Sequence, residues 1–173
     1  MGNALSTIGS IYHNKGQYDK ALDYFDRSLK IRKSLGDKTR LANNNMNIGF
    51  VSYDKGDYDK AVEYFQQSIS IQKEIGMGAD DLIWTTTHLY LTYKKLGKKY
   101  DENEIHSLIK EAEDINYTNL NYRIYQLLED TSYLETAYNQ VKEKADNLEP
   151  DVKLKFLSYP IPAAIVEEWE KVK

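Results

Sequence analysis

The chain has 173 residues (20.1 kDa), no cysteine and a net charge of −4 with a pI near 5.5. Its 41% hydrophobic and 29% charged residues exclude general disorder, the acidic balance argues against an electrostatic nucleic-acid footprint, and the missing thiols exclude disulfides and thiolate metal sites. No window approaches roughly eighteen uninterrupted apolar residues, and MGNALSTIGS lacks a basic region followed by an apolar core, so neither a membrane span nor a secretory signal is expected and a cytoplasmic location is.

The first predicted helix spans about 3–14, with Leu5, Ile8, Ile11 and Tyr12 at helical spacing, and Lys15-Gly16-Gln17 supplies a turn. A second runs from about Tyr18 to Leu35 with Ala21, Leu22, Phe25, Leu29 and Ile31 inward, and Gly36 stands where a left-handed cap belongs. The design then returns. KGQYDKALDYF at Lys15–Phe25 reappears as KGDYDKAVEYF at Lys55–Phe65, and Asn3–Gly36 over Asn43–Gly76 gives 15 identities in 34 positions without a gap. A fixed period of this size marks a repeat architecture, in which each helix pair buries its apolar face against its neighbours.

A third unit, 82–115, is recovered from spacing: Trp84, Leu89, Tyr90 and Tyr93 precede Leu96-Gly97, and Ile105, Ile109 and Ala112 repeat the intervals of Ala21, Phe25 and Ser28. A fourth, 118–148, has one face of Leu120, Ile124, Leu127 and Leu128 and another of Leu134, Ala137, Tyr138 and Val141. Residues 150–173 break the pattern with Leu154, Phe156 and Leu157, then a last helix carrying Ile165, Val166, Trp169 and Val172, with Pro162 in its first turn. They read as a cap over the end of the stack.

Ile8-Gly9-x-x-Tyr12 with Ala21-x-x-x-Phe25, and Ile48-Gly49 with Ala61-x-x-x-Phe65, resemble the tetratricopeptide repeat (TPR) pattern. Ser52 replaces the second tyrosine, Lys33 and Lys73 stand where the pattern ends in proline, and the longer period is similar to the extended repeats of kinesin-light-chain-like TPR proteins. The resemblance implies an all-α TPR solenoid, a right-handed superhelix of antiparallel helix pairs with a C-terminal capping helix, forming one domain over 1–173. The C-terminal stretch also resembles TPR tails of bacterial signalling proteins such as nucleotide cyclases, kinases and regulatory ATPases. Because recognisable repeats start at residue 3, the chain is expected to be part of a longer array.

The expected function is non-catalytic binding of a protein or peptide segment on the inner wall, which in such repeats is lined by the first helix of each pair. The register from Gly9 and Gly49 places Asn3, Thr7 and Ser10, then Asn43, Asn47, Phe50 and Asp54, then Trp84, His88 and Lys95, then Asn119 and Arg123 on that wall. Amides suit an extended backbone and single rings supply apolar anchors. Asn43 and Asn47 lie one turn apart, whereas Asn44 and Asn45 point elsewhere. A clamp for a C-terminal carboxylate is not expected, since the equivalent positions offer Ser6 and Ser10, Asn47, Trp84 and His88.

No catalytic residue, metal ligand set or cofactor is expected: His13, His88 and His106 fall in different units, and no G-x-G-x-x-G, P-loop or G-x-S-x-G occurs. The alternative is a self-associating or regulatory module in which Leu5, Ile8 and Tyr12, or the Trp169 helix, packs on another copy. No nucleic-acid or membrane partner is expected.

Overall fold

Aspartates and glycines punctuate the helices. The carboxylate of Asp37 accepts the Arg40 N–H at 3.2 Å, and those of Asp57, Asp101 and Asp130 accept from Lys60 (3.4 Å), Asn103 (3.0 Å) and Ser132 (2.9 Å), so each satisfies a donor that the first turn leaves unpaired. Gly36 and Gly56 close the preceding helices in the left-handed conformation (φ 64° and 86°), which costs glycine nothing.

A computed structural model describes residues 2–113 and 115–173, in which ten α-helices and no strand occur. They fall into two compact units, Met1–Ala112 and Glu113–Lys173. The first holds α1 (Gly2–Asn14), α2 (Tyr18–Leu35), α3 (Lys38–Lys55), α4 (Tyr58–Glu74), α5 (Ala79–Lys95) and α6 (Glu102–Glu111); the second holds α7 (Thr118–Leu128), α8 (Thr131–Asp146), α9 (Pro150–Leu157) and α10 (Pro160–Val172).

In the first unit each helix packs on the next, and α1 also touches α3 as α3 touches α5, so the first helices of the pairs share one layer. The pairs close on a ring over a glycine. Phe25 lies against Gly9 and Phe65 against Gly49, with both phenylalanines fully buried. One bond recurs at the period of the sequence: the Ser28 hydroxyl donates to the Gly2 carbonyl at 3.0 Å, and Ser68 to Ala42 at 2.9 Å. Between the first two pairs, Leu22, Phe25 and Leu29 of α2 enclose Ile48 and Val51 of α3. Each such burial contributes about 1.5–3 kcal/mol before the entropy of ordering is set against it.

The third pair departs from the spacing expected of it. In α6 the buried residues are Ile105 and Leu108, Ile109 is half-buried and Ala112 lies past the end of the helix. The longer connection after Leu96 and a helix of only ten residues leave room for two turns of packing where α2 and α4 have more.

In the second unit, α7 and α10 both pack on α8, burying Tyr122, Leu134, Ala137, Val141 and Ile165. The last helix begins at Pro160, which puts Pro162 in its first turn. Trp169 is half-buried and stacks on Tyr138 with ring centres 5.3 Å apart, so its ring packs into this core.

Two outcomes test this packing. A Cβ at position 49 would stand 2.5 Å from the Phe65 ring, against 3.0 Å between position 9 and Phe25. Alanine in place of helical glycine gains up to about 1 kcal/mol, and overpacking a closed core costs about 1–3 kcal/mol. Gly49→Ala should therefore lower the denaturation midpoint while Gly9→Ala stays near wild type; equal midpoints would refute the ring contact. Separately, the Asp37 carboxyl is held below the ordinary aspartate value, chiefly by the Arg40 N–H, with the Arg40 side chain and the Arg32 charge adding to it. Its contribution is full above the unfolded value, about 3.9, and fades as pH falls through the lowered folded one. The gap in Tm between wild type and Asp37→Asn should shrink between pH 7 and pH 3; a constant gap would count against the cap.

Candidate functional site

The asparagine run on α3 divides by helical face. Asn44 occupies the stripe of Ile48 and Val51 and is buried (2% exposed), where its Nδ2 donates to the Phe25 carbonyl at 2.7 Å and its Oδ1 accepts from the Ser6 hydroxyl at 3.0 Å. Ser6 in turn meets Ser28 at 2.8 Å, so one amide joins α1, α2 and α3. Asn45 is also buried, with no protein partner for its Oδ1 among the described residues. Asn43 is exposed and Asn47 half-buried, and the side-chain amides of both are unbonded among the described residues.

The neighbouring positions on α1 are engaged. The Arg32 guanidinium donates to the Asn3 amide oxygen, and the Thr7 and Ser10 hydroxyls donate to the carbonyls of Asn3 and Ser6 at 3.1 Å each. The Asp54 carboxylate on α3 meets His13 Nε2 at 2.7 Å, which ties α1 to α3 across the layer. The register did not include His13; it stands forty residues before Tyr53, the neighbour of Asp54.

Rings from α3 and α5 meet at Phe50, three residues after Asn47 on α3. Phe50 lies 4.5 Å from the His88 ring and 5.5 Å from Phe65, and Trp84 stacks over His88 at 6.4 Å. His88 Nδ1–H donates to the Trp84 carbonyl at 2.8 Å. With only 8% exposure, His88 supports Phe50 and Trp84 from beneath and is not an open contact position; Phe50 and Trp84 are half-buried. Lys95 is exposed at the end of α5.

Asn119 and Arg123 are on α7, in the second unit. Asn119 is exposed, and half-buried Arg123 donates to the Gln126 amide oxygen at 2.9 Å. That unit also contains an open cavity of about 440 Å³ lined in part by Asn116, Asn121, Ser132, Tyr133 and Thr136, none of them a residue singled out from the sequence. Among the described residues, no group of three or more His, Asp or Glu side chains is placed to hold a metal, and no helix is long and apolar enough to cross a membrane.

Stacked antiparallel helix pairs with a ring-on-glycine contact and a layer of first helices define a helical-repeat protein of the scaffold type. The family model described as tetratricopeptide repeat matches residues 1–74, which are the first two pairs. Crystal structures of the nearly identical TPR-like repeats of a Podosopora anserina protein described as a kinesin light chain, and of a single-substitution variant of it, superpose with a TM-score of 0.57 at 14% identity, covering 96% of this chain and 82% of theirs. At that identity the likeness is one of fold, and the fold is the all-α TPR solenoid type. No protein of curated function matches the sequence.

Replacing Asn44 with alanine removes two hydrogen bonds at a buried site, one to the Phe25 carbonyl and one from the Ser6 hydroxyl, a loss of about 1–3 kcal/mol. Asn43→Ala and Asn47→Ala should each stay within about 0.5 kcal/mol of wild type. Urea titrations of the three variants check this, and equal losses across the run would remove the division by face.

Proposed function

We propose that the first unit binds an extended protein segment across the layer formed by α1, α3 and α5. The observation that carries this reading is the pair of unbonded amides, Asn43 and Asn47, on the helical face of α3 that also carries Phe50. Four helical residues advance about 6 Å, close to the roughly 6.6 Å between like-facing groups of an extended chain. Two amides at that separation match alternate peptide groups, each offering one donor pair and one acceptor. Phe50 and Trp84, held by His88, give a flat apolar contact for one bulky side chain of the segment.

Binding would draw on rigidity more than on area. The wall residues stand on helices locked by the ring-on-glycine contacts, so little conformational entropy is lost at the wall when a segment docks. The register from sequence also put Asn3, Thr7, Ser10 and Asp54 on this face; their side-chain bonds to Arg32, to α1 carbonyls and to His13 make them supports for the wall in this reading. The absence of cysteine supports a cytoplasmic setting for such a scaffold.

The test is a random-peptide display selection on the wild-type chain, repeated on Asn43→Ala/Asn47→Ala and on Phe50→Ala. Selected sequences should share one bulky apolar position, and their affinity should fall about tenfold or more in each variant while the circular dichroism spectrum is retained. Peptides bound equally by all three proteins would place the ligand elsewhere.

A further inference from the structure

The open cavity of the second unit is organised around one amide. Asn121, in the first turn of α7, is 2% exposed and lines that cavity of about 440 Å³, a volume within the range of small-molecule sites. Its Nδ2 donates to the Ile115 carbonyl at 3.0 Å and to the Tyr117 carbonyl at 3.3 Å, both in the segment that leads into α7. Both amide protons are thereby spent. The amide is fixed in this sense, since turning it over would set its oxygen against two carbonyls. Its Oδ1 has no partner among the described residues, so it is the acceptor that this buried amide offers to the cavity.

The hydroxyls of the lining are committed in the same direction. Ser132 Oγ donates to the Asp130 carboxylate at 2.7 Å and Thr136 Oγ1 to the Ser132 carbonyl at 2.9 Å, so each has spent its one proton and keeps lone pairs. Glu113 adds a carboxylate with no partner among the described residues, and no Lys or Arg stands among the described lining residues. The donors that remain there, the Asn116 amide and the Tyr133 hydroxyl, are outnumbered by acceptors. Tyr133 also contributes an aromatic ring, a surface that favours cations. An anion would meet the Glu113 charge with few donors to offset it, and a neutral polyol would leave that charge unanswered. An ammonium brings three N–H donors and the opposite sign.

We propose that this cavity binds a primary ammonium group, carried by a small organic amine or by a lysine side chain, with Asn121 Oδ1, the Thr136 hydroxyl and the Glu113 carboxylate accepting its N–H bonds. The site shares no residue with the wall of the first unit, so it stands apart from the peptide reading.

The probe is butylamine, titrated into the full chain at neutral pH and low salt and followed in amide NMR spectra, beside N-acetyl-lysine amide, butanol and tetramethylammonium. Butylamine should move the Asn121 and Thr136 signals saturably. Butanol, which lacks the charge, and tetramethylammonium, which lacks the N–H donors, should bind about fivefold more weakly or worse. Affinity for butylamine should fall by about fivefold or more in Thr136→Val, in Glu113→Gln and in Asn121→Leu. Asn121→Leu also strands two backbone carbonyls, so the variants at the exposed positions 113 and 136 decide even if it fails to fold. Tighter binding of N-acetyl-lysine amide than of butylamine would support the site with a lysine side chain as the source, and the reverse would support it with a free amine. No saturable shift with either amine, either control bound as tightly as butylamine, or affinity unchanged in both exposed variants would overturn the proposal.

Discussion

Phe25 over Gly9 and Phe65 over Gly49 set how close the helices of each pair come. A ring can lie flat on a helix only where no Cβ stands in its way, so the glycine fixes the approach and the phenylalanine fills it. Ala21 and Ala61, fully buried on the opposing helices, extend the same close contact. Once that distance is fixed, the Ser28 and Ser68 hydroxyls reach the Gly2 and Ala42 carbonyls, and the same face of each first helix is turned away from its partner. That outward face is therefore a by-product of the packing, and on it the Asn43 and Asn47 amides are left without a structural bond among the described residues.

The polar residues buried between pairs add specificity to that arrangement. A stack of aliphatic faces alone would tolerate a slip by one turn with little change in buried area. Asn44 does not, because its amide must meet the Phe25 carbonyl and the Ser6 hydroxyl together. A slip of one turn, about 5.4 Å, would leave the Asn44 amide buried without these two partners, at a cost of about 1–3 kcal/mol. Lys55 with Asp19, at the other end of the same stripe, marks the same register from the surface, where an ion pair contributes less.

Much of this was legible in the sequence wherever the period was strong. The glycine and phenylalanine positions, the left-handed stops at Gly36 and Gly56 and the limits of α2 to α4 follow from residues that recur at one interval. Asn44 could have been placed too, since it lies four and seven residues before Ile48 and Val51, but an amide on an apolar stripe reads as surface until its partners are known. The partners, Ser6 and the Phe25 carbonyl, come from two other helices. His88 was misjudged for the related reason that wall register says nothing about the rings leaning on it from α3. The third pair lost its register where a longer connection and a shorter α6 moved the buried pair to Ile105 and Leu108, a shift that no local pattern announces. Trp169 was ambiguous because an amphipathic last helix looks the same whether its apolar side meets α8 or a partner.

In the proposed reading the face of Asn43 and Asn47 suits one kind of backbone. Its amides have hydrogen bonds unspent, and only a chain with free N–H and C=O groups would gain from them; a helix, with its backbone bonds already made, would leave Asn43 and Asn47 covered and unpaired. The His13 contact with Asp54 joins α1 to α3, the helix that carries the asparagines, so the position of that face rests on a bond between first helices as well as on the packing within each pair.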